Sequence, residues 1–227
     1  MYPRALILCG GQGTRLKSIA KDYPKCLMEI NDKPFLFYLF GLLQSNDFQD
    51  VILCTGNGHD CIEKMIGYEY QELSIKYSRE NYPLGTGGAI IQALETFDDE
   101  WFLLMNGDSY CSFDLNSEDI VKKRSPLIFV HQVRDVSRFG EVQFNDNGLV
   151  FSFKEKNQSC RPGYINAGIY WLHRSCFDKF PKNSFISMEK EILPSLLNSL
   201  EIVSCDSGFI DIGTPESYAK AKEFFKF

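Results

Sequence analysis

The chain has 227 residues, a net charge of −6, and 44% hydrophobic and 24% charged residues. That balance is ordinary for a soluble globular protein and argues against a nonspecific nucleic-acid binder, which carries a basic footprint. No apolar run approaches the ~20 residues of a membrane-spanning helix, so neither nucleic acid nor membrane is expected as a partner.

Residues 5–9 (ALILC) form a short continuous apolar run ended by glycines, the pattern of a strand buried on both faces. A helix is expected over 14–20, and a second over 34–44 (PFLFYLFGLLQ) with Pro34 in its first turn. Residues 51–55 (VILCT) predict another buried strand, ended by Gly56-Asn57-Gly58. A helix over 59–66, an alternating strand over 73–78 and a helix over 87–97 follow, then a third buried strand over 101–105 (WFLLM) closed by Asn106-Gly107-Asp108. Strands and helices alternating in this way imply right-handed crossovers and an open, mostly parallel sheet flanked by helices. In such sheets ligands bind beyond the carboxyl ends of the strands, where the glycine loops and Asp108 fall.

The second half is richer in strand. Residues 141–144 and 149–154 flank Asp146-Asn147-Gly148 and read as a hairpin with an Asn-Gly turn. A strand over 165–172, a helix over 188–200 interrupted near Pro194, a strand over 209–212 and a closing helix over 215–225 complete the reading. With no low-complexity linker or repeat, one domain over 1–227 is expected, divided near 112/113 into two halves.

The eight cysteines show no CxxC pair and read as reduced thiols used for packing. His59, His131 and His173 are scattered, which argues against zinc. Met1-Tyr2-Pro3-Arg4 leads straight into the first apolar run with no signal peptide, so a cytoplasmic protein is expected.

A strand ending in Gly10-Gly11-Gln12-Gly13 can turn tightly and bring backbone N–H groups to a phosphate, with a helix N-terminus adding positive charge. Thr14 can cap that helix or donate to phosphate, Arg15 offers a fork of donors, and Lys25 supplies a second cation. The P-loop pattern fails, because Arg15 stands five residues after Gly10 without the required glycine-lysine pair. The dinucleotide fingerprint fails at Leu16.

The run Leu8-Cys9-Gly10-Gly11-Gln12-Gly13-Thr14-Arg15-Leu16, followed by Pro24-Lys25-Cys26-Leu27, resembles the signature of the sugar-1-phosphate nucleotidylyltransferases. Further segments resemble that family along nearly the whole chain: Glu80 to Ala89, Asn106-Gly107-Asp108, Arg138-Phe139-Gly140, Glu155-Lys156, Asn166 to Tyr170 and Phe209 to Pro215. Within it, the segments from Glu80 to Ala89 and from Asp211 to Tyr218 most resemble the heptose 1-phosphate guanylyltransferase branch.

The resemblance implies a Rossmann-like α/β nucleotidyltransferase fold with a nucleotide-binding half and a β-rich acceptor half. It also implies a reaction in which a sugar 1-phosphate attacks the α-phosphorus of a nucleoside triphosphate and pyrophosphate leaves. Arg15, Lys25 and Asp108 become the expected catalytic residues. Leu8, Gly10, Gly11, Gly13, Thr14, Glu80, Pro83, Gly85, Thr86, Gly88 and Asn106 are expected around the nucleotide, with Gly85 and Gly88 allowing close backbone approach. Asp108 and Asp211 are expected to hold Mg²⁺, a hard cation suited to oxygen ligands. Gly140, Glu155, Lys156 and Asn166 are expected around the sugar phosphate. Glu80 favours guanine, since a carboxylate accepts from both N1–H and the N2 amino group, whereas uracil and thymine offer one N–H; GTP is therefore the expected donor. Two alternatives stand beside this: a hexose-1-phosphate transferase using UTP, dTTP or CTP, and a catalytically silent nucleotide-sensing member of the fold. Both monomer and homodimer fit the sequence.

Overall fold

The computed structural model describes residues 4–11, 23–115, 120–154, 160–205 and 208–226. Four parallel strands form its centre: β1 (Ala5–Leu8), β4 (Asp50–Thr55), β6 (Leu73–Arg79) and β7 (Trp101–Asn106). They lie in the order β6-β4-β1-β7. The chain thus steps outward from β1 to β4 and β6 and then returns to the other side of β1. That reversal opens a crevice at the carboxyl ends of β1 and its neighbours.

Residues along these strands alternate between two apolar clusters. Ala5, Ile7, Val51, Leu53, Leu103 and Met105 belong to one, and Leu6, Ile52, Phe102 and Leu104 to the other. Both faces are covered, which is why the strands read as continuous apolar runs. Helices α1 (Phe35–Ser45) and α2 (His59–Ile66) supply Phe35, Leu39, Phe40 and Ile62 to the first cluster. Helix α3 (Gly85–Ala93) supplies Ala89, Ile90 and Ala93 to the second. Each of the larger side chains among them, such as Phe35 or Ile90, stabilises the fold by roughly 1.5–3 kcal/mol when taken from water, before entropy is counted.

The second half extends the same sheet. The long strand β12 (Gly163–His173) runs antiparallel to β7, pairing Ile169 with Met105 and His173 with Trp101. Its other edge carries β9 (Leu127–Val133), and β13 (Glu201–Ser204) lies parallel beyond β9. The hairpin β10 (Glu141–Phe144) and β11 (Val150–Lys154) joins through the Glu141–Ile165 pair, and β5 (Glu69–Tyr70) closes the far edge. A separate ribbon pairs β8 (Ser109–Cys111) with β14 (Phe209–Asp211), and helix α5 (Pro215–Phe224) follows under a Thr214–Ser217 capping box. A last ribbon pairs β2 (Glu29–Ile30) with β3 (Lys33–Pro34).

Several expectations change. Pro34 caps α1 and does not enter its first turn. The helix expected over 87–97 starts earlier, at Gly85, and tightens to a 3₁₀ turn at Leu94–Thr96. The Asn-Gly turn is a three-residue loop: the Asn145 side chain accepts from the Asn147 and Leu149 amides at 3.0 Å each, and Gly148 adopts φ 78°. No long helix spans 188–200; a π turn (Met188–Ile192) runs into the single turn α4 (Leu193–Ser195), because Pro194 cannot continue the ladder. The strands over 127–133 and 201–204 were not expected. The helix expected over 14–20 lies outside the described residues. Among the described residues no helix is long and apolar enough to cross a membrane, and five of the eight cysteines are buried, in keeping with packing roles.

Candidate active site

Beyond the carboxyl ends of β1, β4 and β6 lies a cavity of about 620 Å³. Leu8, Gly10, Gly11, Glu80, Pro83, Gly85 and Thr86, all expected around the nucleotide, line it. Glu80 follows directly on β6, and its amide donates to Thr55 O at 2.8 Å, which ties it to the end of β4. Its Oε2 accepts from the Leu84 amide at 2.8 Å. Its Oε1 lies where a Cβ on Gly10 would be 3.0 Å away, so the carboxylate sits against the glycine loop. Burial raises the Glu80 carboxyl above the usual glutamate range, with the Leu84 amide pulling the other way. A half-buried carboxylate of this kind is costly unless donors reach it.

The second cluster stands where β7 and β14 end. Gly107 passes so close over β1 that a Cβ there would lie 2.5 Å from Leu8 O, and its amide donates to that oxygen at 3.0 Å. Only glycine permits this approach, and it fixes the next residue, Asp108, at the strand ends. The Asp108 carbonyl accepts from the Ile212 amide at 2.9 Å, which brings Asp211 beside it. Lys25 stands on a 3₁₀ turn (Lys25–Leu27) anchored by buried Cys26 and Leu27. Its Nζ donates to Asp108 Oδ2 at 3.0 Å. A Cβ on Gly213 would lie 2.8 Å from Asp211 Oδ1 and 3.8 Å from that same Nζ, so Lys25 and Asp211 both border Gly213. Asp211 Oδ1 accepts from the Gly213 amide at 2.7 Å and from Ser217 Oγ at 3.1 Å. The structure therefore gathers Lys25, Asp108 and Asp211, three residues separated by up to 186 positions, into one cluster.

The donor set suits a hard divalent cation. Both acids present oxygen, and Asp211 keeps Oδ2 free of protein donors among the described residues.

Other expected residues are placed differently. Gly88 makes room for protein backbone, since a Cβ on it would lie 2.6 Å from Ser184 O. Gly85 lines the cavity, but a Cβ on it would lie 2.5 Å from Ile186 O. The hydroxyl of Thr86 is likewise engaged, donating to Glu189 Oε2 at 3.1 Å and accepting from the Met188 amide at 2.8 Å. Asn106 packs against Gly168, whose Cβ would lie 2.7 Å from Asn106 Nδ2. Gly140 immediately precedes β10, whose Glu141 pairs with Ile165, the neighbour of Asn166 in sequence. The Asn166 side chain is held within β12, donating to Tyr170 Oη at 2.6 Å and accepting from the Gly168 amide at 2.9 Å. Gly13, Thr14, Arg15, Glu155 and Lys156 lie outside the described residues. Sequence reasoning missed Tyr82 and Phe185, which also line the cavity; Tyr82 stood inside a recognised segment, whereas Phe185 belongs to a stretch with no motif.

A switch-point cavity holding a carboxylate, next to a lysine and two aspartates, defines a site for a phosphorylated, base-bearing ligand. The chain matches the nucleotidyl transferase family over residues 4–226 and belongs to it. It is 41% identical to the D-glycero-alpha-D-manno-heptose 1-phosphate guanylyltransferase of Campylobacter jejuni, over 95% of this chain and 96% of that protein. The protein of the same name from Aneurinibacillus thermoaerophilus is 35% identical, over 96% of each chain. The crystal structure of HddC from Yersinia pseudotuberculosis complexed with GMP-PN superposes with a TM-score of 0.88 at 34% identity, covering 99% of this chain and all of that one.

Proposed function

We propose that this protein is a guanylyltransferase that moves GMP from GTP to D-glycero-α-D-manno-heptose 1-phosphate, giving a GDP-sugar and pyrophosphate. The observation that carries the reading is Glu80, a half-buried carboxylate in the cavity at the ends of β1, β4 and β6. A guanine edge supplies the two donors that offset its burial. The two guanylyltransferase relatives and the GMP-PN complex of HddC support the same base.

In this reading a phosphate oxygen of the sugar 1-phosphate forms a bond to the α-phosphorus. The bond from that phosphorus to the bridging oxygen breaks, and pyrophosphate leaves with the electron pair. The attacking phosphate is already ionised at neutral pH, so no protein base is required. Both reactants are anions, and the protein's task is to position them and neutralise charge. Lys25, paired with Asp108, is assigned to a substrate phosphate on resemblance. Asp108 and Asp211 would hold Mg²⁺, which when bound supplies charge neutralisation on the phosphates. Arg15, Gly13 and Thr14 are assigned to the triphosphate, and Glu155, Lys156, Gly140 and Asn166 to the sugar phosphate, on resemblance. A cytoplasmic location accords with the buried thiols.

The test is pyrophosphate release measured for four nucleoside triphosphates against a panel of heptose and hexose 1-phosphates. Turnover of GTP with the heptose phosphate, and little with UTP or dTTP, is expected. Activity with UTP or dTTP and none with GTP would overturn the assignment of the base; preference for mannose 1-phosphate would overturn that of the sugar.

A further inference from the structure

Two aromatic side chains stand on the rim of the cavity: Tyr82, 53% exposed, and Phe185, 70% exposed. Among the described residues Phe185 is the most exposed of the large hydrophobic side chains. It does not hang on a loose loop. The next residue, Ile186, is buried; its amide donates to Leu84 O at 2.8 Å, and its carbonyl accepts from the amides of Gly87 and Gly88 at 2.8 and 3.3 Å. Two residues on, the Met188 amide donates to Thr86 Oγ1. The segment is thus fastened to the start of α3, and the absence of a Cβ at Gly85 and Gly88 is what lets it lie there. A rigid backbone therefore presents an apolar ring to water beside a cavity whose wall includes Leu8, Pro83 and Ala89.

We infer that Phe185 is a base-stacking residue: its ring covers a face of the nucleobase while Glu80 reads the base edge. The inference rests on the assignment of this cavity to a nucleoside triphosphate. A π-face is common to all bases, so stacking adds affinity without choosing guanine. The choice among bases stays with Glu80, and Phe185 favours purines only through their larger area. The segment that carries it comes from the second half of the chain, so that half takes part in binding the nucleotide as well as the acceptor.

The experiment compares Phe185→Ala, Phe185→Tyr and Phe185→Trp in steady-state kinetics, with inorganic tripolyphosphate as a competitive probe that has no base. Phe185→Ala is expected to raise the KM for GTP about tenfold, the scale of losing one base-stacking aromatic, with kcat nearly unchanged. Inhibition by tripolyphosphate should be unaffected, and the tyrosine and tryptophan variants should restore KM. In the Phe185→Trp variant, GTP should quench the added fluorescence relative to the parent protein, and tripolyphosphate should not. An unchanged KM in the alanine variant, or an equal loss for GTP and tripolyphosphate, would overturn the inference, the latter pointing to a loosened α3 start. If the enzyme turns over UTP and not GTP, the guanine assignment fails, yet a raised UTP KM with unaltered tripolyphosphate inhibition would still support stacking.

Discussion

Lys25 and Asp108 face each other at 3.0 Å, with Lys25 the more buried of the two. Lys25 offsets the charge of Asp108 and leaves Asp211 as the second carboxylate of the cluster, and the roles of Lys25 and Asp108 separate on substitution. Lys25→Met should lower kcat by about 100-fold or more, the scale of removing one preorganised charge donor, at an unchanged Mg²⁺ requirement. Asp108→Asn should instead raise the Mg²⁺ concentration needed for half-maximal rate; a magnesium titration of both variants by pyrophosphate release checks this. Glu80 gives a second prediction with opposite signs for activity and stability. Burial raises its folded pKa above the unfolded value, so its neutral form is favoured in the fold and its contribution to stability is lost as pH rises through that raised pKa. Glu80→Gln should therefore melt higher than the parent above that pKa. The gain should shrink on acidification and vanish below the ordinary glutamate range. The same substitution should cost roughly 10- to 100-fold in kcat/KM for GTP, the loss of a charged acceptor, and narrow the preference over UTP. Melting curves and nucleotide competition across pH 4.5 to 8 test both signs. Asp108 was legible in the sequence because it closes an apolar run, and Lys25 and Glu80 because they stand in segments that resemble a family motif. Phe185 was not, because a single aromatic in a polar stretch carries no period and no motif.

The elements differ in how openly the sequence declares them. Strands β1, β4 and β7 are buried on both faces and appear as unbroken apolar runs, and α2 matches its expected bounds. Strand β9 is just as buried over its first four residues, but its apolar run is short and passes into the polar His131-Gln132 before it ends. Strand β13 exists because it pairs with β9, 70 or more residues earlier, and no local pattern encodes a partner that distant. The expected helix over 188–200 is broken locally, at Pro194, and its apolar residues reach the second cluster from a π turn and a single α turn. The contact of the π turn with α3 yields a prediction at Gly88. A Cβ there would lie 2.6 Å from Ser184 O and 2.8 Å from Leu84 Cβ, and the first of these neighbours is backbone. Gly88→Ala should destabilise the protein by about 1–3 kcal/mol, as overpacking does. It should also raise the GTP KM by displacing the segment that carries Phe185. Ala89→Gly, one residue on, provides a control that weakens the helix without the clash. Denaturant melts paired with kinetics separate the two effects.

At the scale of the molecule, the two expected halves on either side of residue 112 share one sheet. Strand β12 pairs with β7 over Ile169 to His173, and β14 pairs with β8. Helix α5, which follows β14, supplies Ala221 to the same apolar cluster as α1. A fragment of residues 1–112 would therefore leave β7 as an open edge and strip the cluster of Ile169, Trp171 and Ile212, all of them fully or almost fully buried. An exposed apolar edge of that kind invites aggregation and not independent folding. We expect the fragment to show no cooperative unfolding transition and the whole chain to show one. The protein carries its own reporter for this: its two tryptophans, Trp101 on β7 and Trp171 on β12, stack with ring centroids 6.0 Å apart across the seam between the halves. Tryptophan fluorescence reads the seam, while far-ultraviolet circular dichroism reads the helices α1, α2 and α3 of the first half. In urea the two signals should trace one coincident transition, and GTP should move both to higher urea together, because the cavity lies on elements that unfold as a unit. Fluorescence changing at lower urea than circular dichroism would mean that the halves part before they unfold, and that the single sheet is held by docking two independent units.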